Sequence, residues 1–159
     1  VFGSTQVDSS GQVEQNWEAL KLKEKGGNKT VLAGVPNTLP ALIKAYRIQE
    51  KACNVGFDWE EKEQVWDKVK EEIGEFENEL IHLNENKAEQ EFGDLLFSLI
   101  NAARLHKINP ENALERTNQK FIRRFNYIEE TAKRQNKNLK EMTLGEMDSL
   151  WNEAKSKGL

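Results

Sequence analysis

From Pro40 onward, apolar residues recur at alternating steps of three and four, the pattern of helices that bury one stripe. The spacing predicts a first long helix from Pro40 to about residue 54, with Leu42, Ala45, Tyr46 and Ala52 turned inward. Proline suits that first turn, where its missing N–H would have no partner. Trp66, Val69, Ile73, Phe76, Leu80 and Leu83 predict a second helix with the seam of a bundle or coiled coil. Asn84, Glu85 and Asn86 predict a tight turn, and Phe92, Leu95, Leu96, Leu99, Ile100 and Ala103 a third helix running back. Asn109 and Pro110 pair as N-cap and first helical residue of a fourth, with Leu114, Phe121, Phe125 and Ile128 inward. Thr143 followed by Glu146 fits a capping box, opening a last helix with Met147, Leu150 and Trp151 on one face. No strand-like alternation of useful length occurs. The expectation is an all-α, antiparallel helical bundle.

Residues 1–38 differ from the rest of the chain. Residues 1–12 are rich in Ser and Gly and read as a flexible lead-in. A short helix is expected over about 13–25, with Trp17 and Leu20 on one face, stopped by Gly26, Gly27 and Asn28. Residues 31–38 read as a second linker. The expected organisation is a linker or arm over 1–38 and a helical domain over 39–159. The chain opens on Val1 and Phe2 without an initiator methionine, which points to a piece of a longer protein.

Composition narrows the chemistry. Only 10 Gly and 3 Pro in 159 residues suit helices better than turn-rich sheets. A net charge of −4 argues against general nucleic-acid binding, which needs a basic surface. The single cysteine, Cys53, allows neither an internal disulfide nor a cysteine-based zinc cluster. No run approaches the ~20 apolar residues of a membrane helix, and no secretory pattern opens the chain. A cytoplasmic protein is expected.

The informative feature is a set of carboxylates. Glu71, Glu72 and Glu75 lie on the second helix, with 72 and 75 three apart and 71 and 75 four apart, so each pair shares a face. Glu91 and Asp94 repeat the three-residue spacing on the third helix. Counting back from the turn brings Asp94 level with residues 73–76, within about one helical turn of 5.4 Å. Two acidic pairs therefore converge from facing helices, where like charges repel by a few tenths of a kcal/mol per pair unless water or a cation relieves them. Glu72, Glu75, Glu91 and Asp94 match a hard divalent cation such as Mg²⁺, with Mn²⁺ as a substitute. Gly74 and Gly93 stand beside these residues and would let helices or a ligand approach closely. Solvated helix faces are the simpler account of any one acidic pair, and two facing pairs weaken it. Di-iron chemistry fits poorly: Glu79 and His82 give one Glu-x-x-His, but His106 has Ala103 at that offset.

Cations suited to phosphate accompany the acids. Lys120 and Arg124 are four apart beside the Phe121 and Phe125 stripe. Lys68 precedes Glu72 and Lys87 precedes Glu91 by one turn each, spacings that also suit ordinary helical ion pairs. Asn101 follows Asp94 by two turns and can read a base or ribose, or serve the core. Trp151 and Lys155, four apart, can stack on a base and touch phosphate, although core packing accounts equally well for the tryptophan.

With these residues in view, the chain resembles the MazG-like all-α nucleotide pyrophosphohydrolases. Glu71-Glu72-x-x-Glu75, then 15 intervening residues and Glu91-x-x-Asp94, is similar to that family's signature. So are residues 39–42, 55–59, 93–97, 120–125 and the stretch 142–155, so the likeness covers about residues 39–157 and points to the C-terminal half of two-domain MazG. The start of the chain resembles the segment joining the two halves. The resemblance implies hydrolysis of nucleoside triphosphates to monophosphate and pyrophosphate with broad base tolerance, by a homodimer that shares helices across its interface. It implies that Glu72, Glu75, Glu91 and Asp94 hold Mg²⁺, and that Lys68, Lys87, Lys120, Arg124, Trp151 and Lys155 fall in the nucleotide-binding set. On that reading water attacks the α-phosphorus, Glu71 either accepts a proton or orients the water or else only supports the ligands or stays solvated, and Lys120 and Arg124 neutralise the departing pyrophosphate. The alternatives are a regulatory module that binds nucleotides without turnover and an interaction bundle whose acids are simply solvated. A narrower relative acting on dUTP or phosphoribosyl-ATP is a variant of the enzymatic reading. The preferred base is not legible.

Overall fold

A computed structural model describes residues 30–159, and the helix expected over 13–25 lies outside the described residues. Five α-helices account for most of it: α1 (Ala41–Cys53), α2 (Gln64–Ile81), α3 (Glu85–Leu105), α4 (Pro110–Arg134) and α5 (Leu144–Ser156). Short 3₁₀ turns occupy Val31–Gly34 and Leu139–Glu141. No strand occurs among the described residues, so the all-α expectation holds. The chain divides between Pro110 and Glu111 into two units.

Every helix ends in the same way, with a residue in the left-handed region just past it. These residues are Gly56, Leu83, Lys107, Asn136 and Gly158, with φ of 89°, 53°, 58°, 54° and 80°. In each case the following N–H reaches back to a carbonyl of the last turn: Phe57 to Ala52, Asn84 to Glu79, Ile108 to Ala103, Lys137 to Ala132, Leu159 to Ala154. That is the Schellman closure, which satisfies carbonyls a helix otherwise leaves open. Glycine or asparagine announces three of the five stops. Leu83 and Lys107 carry no such signal and adopt a conformation that costs a non-glycine residue about 1–2 kcal/mol.

In the first unit α2 packs along α3, with α1 against α3. The expected turn at 84–86 sits two residues earlier, at 82–84, because Asn84 serves as the N-cap of α3, its side chain accepting from the Lys87 N–H. The expected seam on α2 also needs correcting. Trp66, Ile73 and Leu80 are 44 %, 40 % and 51 % exposed, and Leu83 lies beyond the helix. The buried stripe is its neighbour, Val65, Val69 and Glu72, with Phe76 half-buried and in ring contact with Phe92 at 5.3 Å. A carboxylate at position 72 hides that stripe from a count of apolar residues alone. Burying Val65 and Val69 is worth about 1.5–3 kcal/mol each. On α3, Ala88, Ser98, Ile100 and Ala102 are buried, while the expected inward residues Phe92, Leu96 and Leu99 are exposed.

In the second unit Ile128, Thr131, Ala132, Met142 and Ala154 are buried. Leu114, Phe121 and Phe125 remain exposed, against the expectation that they face inward. The expected capping box is present. Glu146 N–H donates to Thr143 Oγ1 at 3.3 Å, and Thr143 N–H donates to the Glu146 carboxylate at 2.9 Å. Such a cap is worth about 1 kcal/mol.

Candidate functional site

Three of the expected acidic residues meet. One carboxylate oxygen each from Glu72, Glu91 and Asp94 lie within 4.8 Å of one another, two helices contributing through the turn at 82–84. Glu72 is 5 % exposed, Glu91 half-buried and Asp94 exposed, so the group opens from the packed stripe of α2 towards its surface. A buried carboxylate needs a partner. Glu72 has Lys68, whose Nζ donates to it at 2.8 Å and to exposed Glu71 at 3.0 Å. Those two bonds, Glu72 first, hold the Lys68 ammonium well above the ordinary lysine range.

Glu75 is exposed and does not join the three within that distance. It still feels them: partial loss of hydration, then the charges of Glu72 and Glu91, push its carboxyl above the ordinary range. One lysine against this many carboxylates leaves the site with unrelieved negative charge.

The donor set fits a small hard cation. Oxygens at 2.0–2.1 Å from Mg²⁺ stand at most about 4.2 Å apart across it, so a group within 4.8 Å needs only small side-chain adjustments. The cluster can therefore hold a divalent metal. Among the described residues Gly74 and Gly93 are not sites of close helix approach, because a Cβ at either would meet no described atom within 4 Å. That expectation is corrected, and the space beside both remains open.

Glu72, Asp94 and Lys68 also form one wall of a cavity of about 650 Å³ in the first unit. Trp59, Phe97 and Asn101 contribute to its lining. The volume lies in the ordinary range of small-molecule pockets. Asp58 and Arg104 lie at the same cavity, and the sequence pattern does not single them out. Arg104 binds Asp58 through both terminal nitrogens, one of them at 3.0 Å, and its Nε and Nη2 donate to Asn101 Oδ1 at 3.0 and 2.8 Å. Burial pushes the Asp58 carboxyl up, but bonds from Arg104, from the Cys53 thiol and from the Trp59 N–H outweigh it and hold it below its usual range. The pair is 46 residues apart in sequence. No local spacing reveals it.

Gln49 on α1 is a further cavity residue absent from the expected set. Its Nε2 donates to the Phe97 carbonyl at 2.8 Å, while its Oε1 is buried and has no hydrogen-bond partner among the described residues. Such an orphan destabilises by about 1–3 kcal/mol. A signal for it exists in the chain: Leu42, Ala45, Gln49 and Ala52 form one three-four stripe, with a polar residue at an apolar position.

The remaining expected residues are distributed differently. Lys87 is exposed on the first turn of α3. Lys120, Arg124, Trp151 and Lys155 belong to the second unit. There the Arg124 guanidinium lies 5.3 Å from the Trp151 ring centroid and its Nε donates to the Leu159 carbonyl at 2.7 Å. Phe121 meets Trp151 at 5.1 Å and stacks on Phe125 at 6.1 Å. Trp151 thus has a packing role within its own unit. Lys120 and Lys155 are exposed.

Comparison with known proteins places the chain in a family. The family model of the MazG nucleotide pyrophosphohydrolase domain matches residues 60–128, which include all three clustered carboxylates. The chain is 40 % identical over 156 residues to the nucleoside triphosphate pyrophosphohydrolase/pyrophosphatase MazG of Thermotoga maritima. It is 36 % identical over 159 residues to the nucleoside triphosphate pyrophosphohydrolase of Escherichia coli K12, and 50 % identical over 159 to an uncharacterized Bacillus subtilis protein, YabN. In each case 98 % of this chain is aligned, while it spans 58 %, 60 % and 32 % of those proteins' lengths. No helix among the described residues is long and apolar enough to cross a membrane.

Proposed function

We propose that this chain, which carries a MazG nucleotide pyrophosphohydrolase domain, hydrolyses nucleoside triphosphates to monophosphate and pyrophosphate with tolerance for the base. The convergence of Glu72, Glu91 and Asp94, with Glu72 and Asp94 lining a cavity of about 650 Å³, carries this reading. Those three residues, with Glu75 beside them, would hold Mg²⁺. When bound, the ion polarises phosphoryl oxygens and lowers the pKa of water.

The chain's own residues do the rest. The cavity takes the nucleoside and leaves the phosphates at the carboxylate wall. Lys68, already shared between Glu71 and Glu72, is placed to exchange a carboxylate for a phosphate oxygen. Glu71, exposed beside the cluster, accepts the proton as water attacks the α-phosphorus. Lys87, Lys120, Arg124, Trp151 and Lys155 are assigned to the nucleotide on the strength of the sequence resemblance, with Lys120 and Arg124 neutralising pyrophosphate as it leaves.

A homodimer completes the proposal. The apolar stripe of Trp66, Ile73 and Leu80 on α2, continued by Phe92, Leu96 and Leu99 on α3, is 40–51 % exposed. Exposed large apolar residues gathered on two packed helices are the kind of surface that a second copy would cover. Replacing Ile73 or Leu96 by Asp should shift sedimentation from dimer to monomer.

The test of the activity is an incubation with ATP, GTP, CTP and UTP in Mg²⁺, measuring pyrophosphate and monophosphate. Equal amounts of the two are expected with more than one base. Tight binding without release of pyrophosphate would favour the non-catalytic module, and release of orthophosphate would contradict the reaction.

A further inference from the structure

The carboxylates explain how phosphates are met but leave the nucleoside end of the cavity unassigned. Gln49 is among the residues that line the cavity, and it has an unmet requirement. The residue is 5 % exposed and lines the cavity with Trp59, Phe97 and Asn101. Its orientation is fixed, since Nε2 donates to the Phe97 carbonyl at 2.8 Å and a carbonyl can only accept. Oε1 must then point elsewhere, and no described residue donates to it. A leucine or methionine would fill the same stripe of α1 with no orphan, so packing alone does not account for glutamine here. Asn101 supplies a contrast. Its Oδ1 is taken by Arg104, so what it offers a ligand is its amide N–H.

We propose that Gln49 is a specificity-determining residue of the nucleoside pocket, its Oε1 accepting a hydrogen bond from an N–H of the base or an O–H of the sugar. This rests on the reading of the cavity as the nucleoside site. The amide held by Phe97 is pre-oriented, so little ordering entropy is lost when the ligand donates to it. A ligand without a donor at that point leaves the acceptor unpaired and is rejected.

The experiment compares the wild-type chain with Gln49→Met on ATP, GTP, CTP, UTP and the four 2′-deoxy counterparts. Inorganic tripolyphosphate, which has phosphates and no nucleoside, serves as a competing inhibitor. The expected result is a loss in kcat/KM of about tenfold or more, carried by KM, for the nucleotides that donate to Gln49. The inhibition constant of tripolyphosphate should stay within twofold, and the melting temperature should not fall. A loss confined to some bases identifies the base as donor. A loss seen with ribonucleotides and absent with deoxyribonucleotides identifies the sugar hydroxyl, and the same contrast on the wild type alone keeps this testable should the variant fold poorly. Kinetics within twofold for all eight nucleotides, or tripolyphosphate weakened by the same factor as the nucleotides, would overturn the assignment and leave the hydrolase reading standing. A wild-type chain that turns over none of the eight would overturn both.

Discussion

Around α5 two ion pairs form, Lys137 with Glu146 at 2.8 Å and Lys157 with Glu153 at 2.8 Å, and the Tyr127 hydroxyl donates to Glu153 at 2.6 Å. Across α2 and α3 the opposite holds. Glu71, Glu72, Glu75, Glu91 and Asp94 crowd together with Lys68 as the partner the ion pairs record. The second arrangement destabilises the apo chain, and the first stabilises its unit. The converging carboxylates of the first unit form a group that could hold a cation.

The contrast can be broken by substitution, and the largest effects belong to activity. Glu91→Gln and Asp94→Asn should each lower pyrophosphate release by at least ~100-fold, the scale set by losing one charge-stabilising group from a hydrolytic site. Without metal, both variants should melt at or above the wild-type temperature, because each removes like-charge repulsion. Variants that retain full turnover would place the metal elsewhere.

Next in size is a change of stability at the same cavity. Asp58→Ala strands the Arg104 guanidinium, whose side chain is 10 % exposed, and should cost about 2 kcal/mol in urea unfolding. Arg104→Met in the same background should recover part of that loss, since it removes the stranded charge.

In the second unit the expected effects are smaller and confined to stability. Thr143→Ala removes the cap of α5 and should cost about 1 kcal/mol while leaving turnover per folded molecule unchanged. The smallest effect is on pH. Lys137 and then the Thr143 N–H and hydroxyl hold the Glu146 carboxyl down at about 2. A depressed carboxyl pKa stabilises the fold fully above the ordinary range near 4.5 and ceases to do so as pH falls from there through 2. Thermal melts of the wild type should therefore lose a small increment between about pH 5 and 2 that Glu146→Gln lacks.

Much of this is legible in the residue pattern, and the gaps have physical causes. Helix positions, the cap at Thr143 and the register that brings Asp94 towards Glu72 follow from local periodicity and chain geometry. The buried stripe of α2 does not, because Glu72 occupies a core position that only Lys68 makes tolerable. Trp66, Ile73 and Leu80 recur every seven residues, an equally regular apolar stripe that remains exposed. The stop at Leu83 escapes because a left-handed leucine has no sequence signature. Asp58 and Arg104 escape because their pairing is purely tertiary.

The central claim is that Glu72, Glu91 and Asp94 form a cation site. Calorimetric titration of Mg²⁺ and Mn²⁺ into the wild-type chain and Asp94→Asn tests it most directly. Saturable binding of both ions to the wild type, weakened at least tenfold in the variant, is the predicted result. Identical isotherms for the two proteins, or no binding to either, would contradict it.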